Sequence, residues 1–146
     1  MKYEQMMRMK RFLRSLAVAG FVLLFSGCDV TDDGPNFHYV FLHITDVAVP
    51  ESFQLNETYE IGVTYLLPNG CISFEGFEVN KESYTTRQVV AVGIEFENMA
   101  CTQQIEEVQA SFEFVCLYNQ PYLFRFYSGT DADGAPQYIE VEVPVE

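Results

Sequence analysis

The chain has 146 residues, is 49% hydrophobic and 15% aromatic, and carries a formal net charge of −13; that is room for one domain with a true core, and too apolar for a disordered chain. The charge is uneven. Lys2, Arg8, Lys10, Arg11 and Arg14 crowd the start beside Glu4 alone, whereas from Cys28 onward three cations (Lys81, Arg87, Arg125) face twenty acids, a net −17. So acidic a body repels phosphate backbones, which argues strongly against nucleic acid as a partner; it would attract cations or a basic partner, and solubility is the plainer reading of the charge.

The basic head followed by "SLAVAGFVLLF" (Ser15 to Phe25) has the n- and h-regions of a secretory signal, with Met6, Met7 and Met9 as alternative starts. Eleven residues rising ~1.5 Å each cover about half of a ~30 Å hydrocarbon layer, so the stretch does not span a membrane as a helix. Its end, Phe25-Ser26-Gly27-Cys28, resembles the lipobox of bacterial lipoproteins, with Phe25 where Leu is commoner. Small residues at Ser26 and Gly27 admit the extended backbone to a peptidase site, and the Cys28 thiol at the interface is the nucleophile that takes the diacylglyceryl group. The resemblance implies cleavage before Cys28 and anchoring to a membrane by acyl chains, palmitate among them; two or three such chains hold stably where one holds marginally. Residues 1–27 are then a signal peptide, 28–36 an acidic flexible tether and 37–146 the body. The tether acids Asp29, Asp32 and Asp33 resemble the acidic patch of surface-exported lipoproteins of the Bacteroidota. In other bacteria an Asp after the cysteine resembles an inner-membrane retention signal instead. The expected place is the cell envelope, as an outer-membrane lipoprotein displayed at the surface.

The body reads as strands, because alternation and turn residues dominate and no window keeps a helical period. A first strand over about 38–48 sets Val40, Leu42 and Ile44 against Tyr39, Phe41 and His43, and Pro50 ends it. A second, about 58–67, sets Tyr59, Ile61, Val63 and Tyr65 against Glu60, Gly62 and Thr64. The "PNG" turn leads to a third, about 71–79, with Ile72, Phe74, Phe77 and Val79 and a bulge expected at Gly76. The fourth, about 86–96, is expected to turn Val90, Val92, Ile94 and Phe96 to one side in phase. The fifth, about 106–117, has Val108, Ala110, Phe112, Phe114 and Cys116 on one face and Glu107, Gln109, Ser111 and Glu113 on the other. "YLFRFY", about 122–127, points Tyr122, Phe124 and Phe126 inward; "SGTDADGAP" reads as a hairpin loop before a last strand over about 137–145.

Seven short strands at this spacing predict an all-β, two-sheet sandwich. In "YNQPYLFRF", Tyr122 follows a tight turn two residues before inward Phe124. This resembles the tyrosine corner of immunoglobulin-like domains, in which the phenol bonds back to the preceding turn; the antibody-type tryptophan is missing. The resemblance implies a seven-stranded immunoglobulin-like β-sandwich, with a jelly roll or another sandwich as the alternative. "VPESFQLNETYEIGVTYLLPNGC" also resembles the opening of small Bacteroidota lipoproteins, in which an "NGC" turn cysteine pairs with one in a later loop; no activity comes with that likeness.

An exported body is an oxidising setting for Cys71, Cys101 and Cys116. Cys71 follows a turn, Cys101 lies in the polar "NMACTQQ" loop, and Cys116 is in phase with core phenylalanines. A Cys71–Cys101 bridge is expected, with Cys71–Cys116 as the alternative. His38 and His43 lie five apart on one strand and so on opposite faces; one imidazole at most reaches any site, which argues against a thiol catalyst or a zinc centre. "DADG" (Asp131 to Gly134) resembles the start of a calcium loop, but only Glu140 follows to complete it, and an Asp-Gly turn accounts for it. Glu113, Glu140 and Glu142 fall on outward phases, and no phosphate loop, nucleophile elbow or dinucleotide fingerprint is present. No metal, no cofactor and no catalytic activity are expected. The expected work is non-covalent binding of a protein or glycan, with Tyr84, Tyr118 and Tyr127 among the landing points. The alternatives are a subunit of a larger envelope complex, and a small carbohydrate-binding or hydrolytic domain.

Overall fold

The computed structural model describes residues 36–146; the signal peptide and the tether with Cys28 lie outside them, apart from Asn36. β-Branched and aromatic residues alternate along the chain, and they form strands wherever turn formers do not interrupt. The seven are β1 (Phe37–Ala48), β2 (Thr58–Leu67), β3 (Ile72–Lys81), β4 (Thr86–Phe96), β5 (Glu106–Val115), β6 (Tyr122–Thr130) and β7 (Pro136–Val143). Among the described residues there is no helix. Six strands match the expected spans within a residue or two, but β6 runs three residues further, through Ser128, Gly129 and Thr130. Gly129 permits this: at φ 103° it lies against the His43 ring, with room for no side chain of its own.

β1 belongs to two groups of strands. Its first half pairs antiparallel with β4, from Phe37 opposite Phe96 to Leu42 opposite Ala91. Its second half leaves β4 and pairs with β2, from His43 opposite Leu66 to Ala48 opposite Gly62. β5 lies beyond β2, β3 lies on the other side of β4, and β7 pairs with β6. Since β1 takes only the later half of one edge of β4, β6 takes the earlier half, with Thr86 opposite Leu123 and Val89 opposite Phe126, and this pairing is parallel. Adjacent hairpins alone do not anticipate a parallel pair.

The core lies where β2 and β5 face β3, β4 and β6. Tyr65 of β2 stacks on Phe74 of β3 at 4.6 Å between ring centres, and Phe112 of β5 meets Phe77 of β3 at 5.4 Å. Phe53, Tyr122, Phe124 and Phe126 are fully buried, and Phe53 touches Phe114 and Tyr59 as well. Such edge and offset contacts add to the burial of each ring. On β3 the ladder to β4 slips between Phe74 and Gly76, which makes Glu75 the extra residue and keeps Phe74 and Phe77 on the same side, 5.0 Å apart.

On β4 the in-phase residues Val90, Val92, Ile94 and Phe96 do share one face, and it is the face turned away from the core. Val89 and Ala91 enter the core, whereas Val92, Ile94 and Phe96 lie on the opposite face; Val90 shares that face although neighbours cover it. The reason is crowding. A Cβ at Gly93 would stand 3.0 Å from Ile72, 3.1 Å from the Ser73 carbonyl and 3.2 Å from Leu42. β1 and β3 press on β4 closely enough that its core phase takes small residues, and the larger side chains turn outward.

Tyr122 locks the entry to β6. Its hydroxyl accepts hydrogen bonds from the backbone N–H of Leu117 and of Tyr118, each at 3.1 Å, and its ring lies under the Arg87 guanidinium at 5.3 Å. Arg87 is itself buried and donates to the carbonyls of Ser83, Tyr84 and Thr86, tying the β3–β4 turn to the same ring. Tyr122→Phe keeps the ring and orphans two donors. It should destabilise the fold by about 1–2 kcal/mol, read as a lower denaturant midpoint at unchanged slope; an unmoved midpoint would mean that water replaces the phenol.

Candidate functional site

Phe37, Tyr39 and Phe41 alternate with the core residues of β1 and so project from the outer face of its first half. The register sets Phe37 opposite Phe96, Tyr39 opposite Ile94 and Phe41 opposite Val92. The outer side of β4 therefore lies beside them. Ring contacts link these residues in two runs. Phe37 touches Phe96 at 6.3 Å and Tyr39 at 5.9 Å, while Phe41 touches Tyr127 of β6 at 5.9 Å and Tyr127 touches Tyr138 of β7 at 6.3 Å. Tyr39 and Phe41, adjacent on the same face, join the runs into one strip of six rings. Both are 63% exposed. Beside Phe41 a cleft of about 390 Å³ opens where β1 changes partners, with Leu42, His43, Leu66 and Ile105 in its lining.

The strip ends on charge. Arg125 lies over Tyr138 at 4.2 Å, donates to both oxygens of Glu82 at 3.2 and 3.0 Å, and reaches Glu140 at 3.0 Å. The hydrogen bonds to Glu82 first, and then to Glu140, push the guanidinium above its ordinary value, so it stays charged. The Tyr138 hydroxyl accepts from Gln88 at 2.7 Å. Rings thus give way to an ordered set of polar groups on one sheet face. Single exposed apolar residues are ordinary on a protein surface; here six aromatic side chains share one sheet face.

Cys28 lies outside the described residues. Cys71 and Cys101 stand at disulfide distance, with Cα atoms 5.2 Å apart, and Cys116 is a buried free thiol whose Sγ contacts the Tyr118 carbonyl. His38, at the strand end, contacts Glu95 and Glu97 at 3.3 and 3.2 Å, while His43 lies on the other face against Gly129. Asp131 spends one carboxylate oxygen on the N–H groups of Asp133 and Ala135, each at 2.9 Å, and the other on Gln137, as a hairpin turn requires. Glu113, Glu140 and Glu142 are exposed. The three tyrosines separate: Tyr84 and Tyr118 meet edge-on at 5.7 Å around Lys81, whereas Tyr127 belongs to the strip.

The sequence placed Tyr39 and Phe41 together on one face of β1, yet gave no sign that this face is the outer one or that Phe96, Tyr127 and Tyr138 would join them. Comparison of the chain with known protein families, curated proteins and solved structures found no match.

Two outcomes check this description. Tyr39→Ser with Phe41→Ser should change stability by no more than about 0.5 kcal/mol per site, whereas Leu42→Ala between them should cost about 2–5 kcal/mol; equal losses would make the strip structural. Burial raises the Cys116 thiol above its ordinary 9.0 and the Tyr65 phenol above 10.0. The unfolded groups ionise first, so stability is full below pH 9.0, declines as pH rises past it, and declines further past 10.0. Cys116→Ala should remove the first part of that decline in alkaline denaturation curves.

Proposed function

We propose that this protein is a lipid-anchored component of the bacterial cell envelope, held to the outer membrane through Cys28 and displayed at the surface, that works by non-covalent binding. The observation that carries the binding reading is the aromatic strip, in which Tyr39 and Phe41 are 63% exposed on β1 while Leu42 and Ile44 on its other face are fully buried. Rings so placed cost solubility and do little for the fold, which favours a role in contact. The anchor rests on the "LLFSGC" stretch after a basic head and on the polar "DVTDDGPN" that separates it from β1.

An immunoglobulin-like β-sandwich is the proposed class of the body. Seven strands, a core between two facing groups and the bonds from the Tyr122 hydroxyl to the preceding turn support it. The parallel β4–β6 pair is a departure from the antiparallel sheets of that class. The proposed work involves no bond chemistry: His38 and His43 occupy opposite faces of β1, and the one free thiol among the described residues is buried.

Growth with a palmitate analogue tests the anchor. Wild-type protein should take the label and Cys28→Ser should not; an unlabelled wild type overturns the anchoring. Protease treatment of intact cells tests display. Cleavage of the body without lysis is the expected result, and protection would place it on the periplasmic side, as a subunit of an envelope complex.

A further inference from the structure

Three strands end the sheet order, and two of them carry features that discourage further pairing. β3 has the bulge at Glu75 and ends on Lys81. β7 is bounded by Pro136 and Pro144, and the backbone of Phe53 bonds to Pro144 and Glu146 at its end. β5 has none of these. Its ladder with β2 runs unbroken from Thr58 opposite Val115 to Leu67 opposite Glu106, and the strand contains no proline, lysine or bulge. A regular strand left open in this way is a template for another.

Its two faces specify what would pair there. On the core side Val108, Ala110 and Phe112 are only half covered, as are Phe74 and Phe77 of the facing β3. No ladder joins β3 to β5, so this side of the core ends in a seam between two strand edges. On the outer side Glu107 and Glu113 are exposed, and the register sets Glu113 directly opposite Glu60, a like-charge pair that destabilises the sheet. The Ser111 hydroxyl bonds to Glu60, but no cation among the described residues pairs with it. The body has three to give, and all are engaged: Lys81 with Tyr84 and Tyr118, Arg87 with three carbonyls, Arg125 with Glu82 and Glu140.

We infer that the free edge of β5 is a docking site for an extended segment of a partner protein that alternates apolar and basic residues. Its backbone continues the ladder, its apolar side chains lie over Phe112 and Phe77 and close the seam, and its basic side chains meet Glu107, Glu113 and Glu60. A second copy of the chain fits poorly. It brings a body of the same sign, and the two-fold pairing centred on Ala110 sets Glu107 opposite Glu113. The site is separate from the aromatic strip, which lies on the outer face of the other group of strands.

The test uses the whole protein and short end-blocked peptides of valine and lysine. The peptide with alternating residues should bind about tenfold more tightly at low salt than one of the same composition in block order, and more tightly than a valine–glutamate peptide. Hydrogen exchange should show new protection in β5 alone. In Glu107→Lys with Glu113→Lys, whose denaturant midpoint should stay near wild type, the preference should invert toward the valine–glutamate peptide. Equal binding of alternating and block peptides means attraction to net charge only and overturns the proposal. So does protection at β3 or β7, or protection of β5 that grows with protein concentration without peptide. Should the double variant not fold, the exchange map on wild type decides alone.

Discussion

β1 changes partners between Leu42 and His43, and much of the rest of the molecule follows from that step. By occupying only the later half of an edge of β4, it leaves the earlier half to β6, and the chain direction there makes the pair parallel. By carrying its second half to β2, it commits β2 and β5 to a separate group whose far edge no described strand closes. The outer side of its first half is brought level with the outer sides of β6 and β7. Tyr127 and Tyr138, distant in sequence from Phe41, join it there. One strand thus sets where the core lies, where the aromatic strip lies and which edge stays open.

How much of this was legible follows the range of the forces involved. Strand positions were legible because turn formers and alternation act locally: "PNG" before β3 and "DADG" before β7 stop strands whatever lies across from them. The roles of Cys71, Cys101 and Cys116 were legible too, since a cysteine in phase with Phe112 and Phe114 is carried inward with them. Which face of β4 meets the core was not. In "VVAVGIEF" the larger residues weigh toward Val90, Val92 and Ile94, and only the approach of Leu42 and Ile72 to Gly93 shows why the small residues face the core. The same gap hid the strip, because nothing in the local pattern showed that Val92, Ile94 and Phe96 turn outward. Which strands pair depends on contacts far apart in sequence, and no local pattern held the parallel pair.

Charge is distributed with the same economy. A body with so few cations has none left for solubility, and each one joins segments that the backbone ladders leave apart. Arg87 binds the β3–β4 turn to Tyr122, which in turn holds the entry to β6. Arg125 joins the outer side of β6 to Glu82 beyond β3 and to Glu140 of β7, across a face where Tyr138 and Gln88 also meet. Exposed ion pairs of this kind add little stability by themselves. Their effect is orientation: they fix the polar end of the strip in one arrangement.

The seam between β3 and β5 shows how an open side can persist in a stable fold. The two strands run in the same direction with no hydrogen bonds between them, and they are fastened at both ends. At the start, Cys71 just before β3 stands at disulfide distance from Cys101, in the loop that leads to β5, and the Gly70 N–H bonds to the Thr102 carbonyl at 3.0 Å. At the finish, Lys81 of β3 donates to the hydroxyl of Tyr118 just after β5, at 3.1 Å, and lies over two rings. A disulfide closed there, with a sequence separation of 30, would restrict the unfolded chain by about 3–4 kcal/mol on the loop-closure model, and this does not depend on covering the apolar side chains between the fastenings. Phe77 and Phe112 can therefore stay half exposed without the two groups of strands parting, and the middle of the seam remains accessible to a further strand.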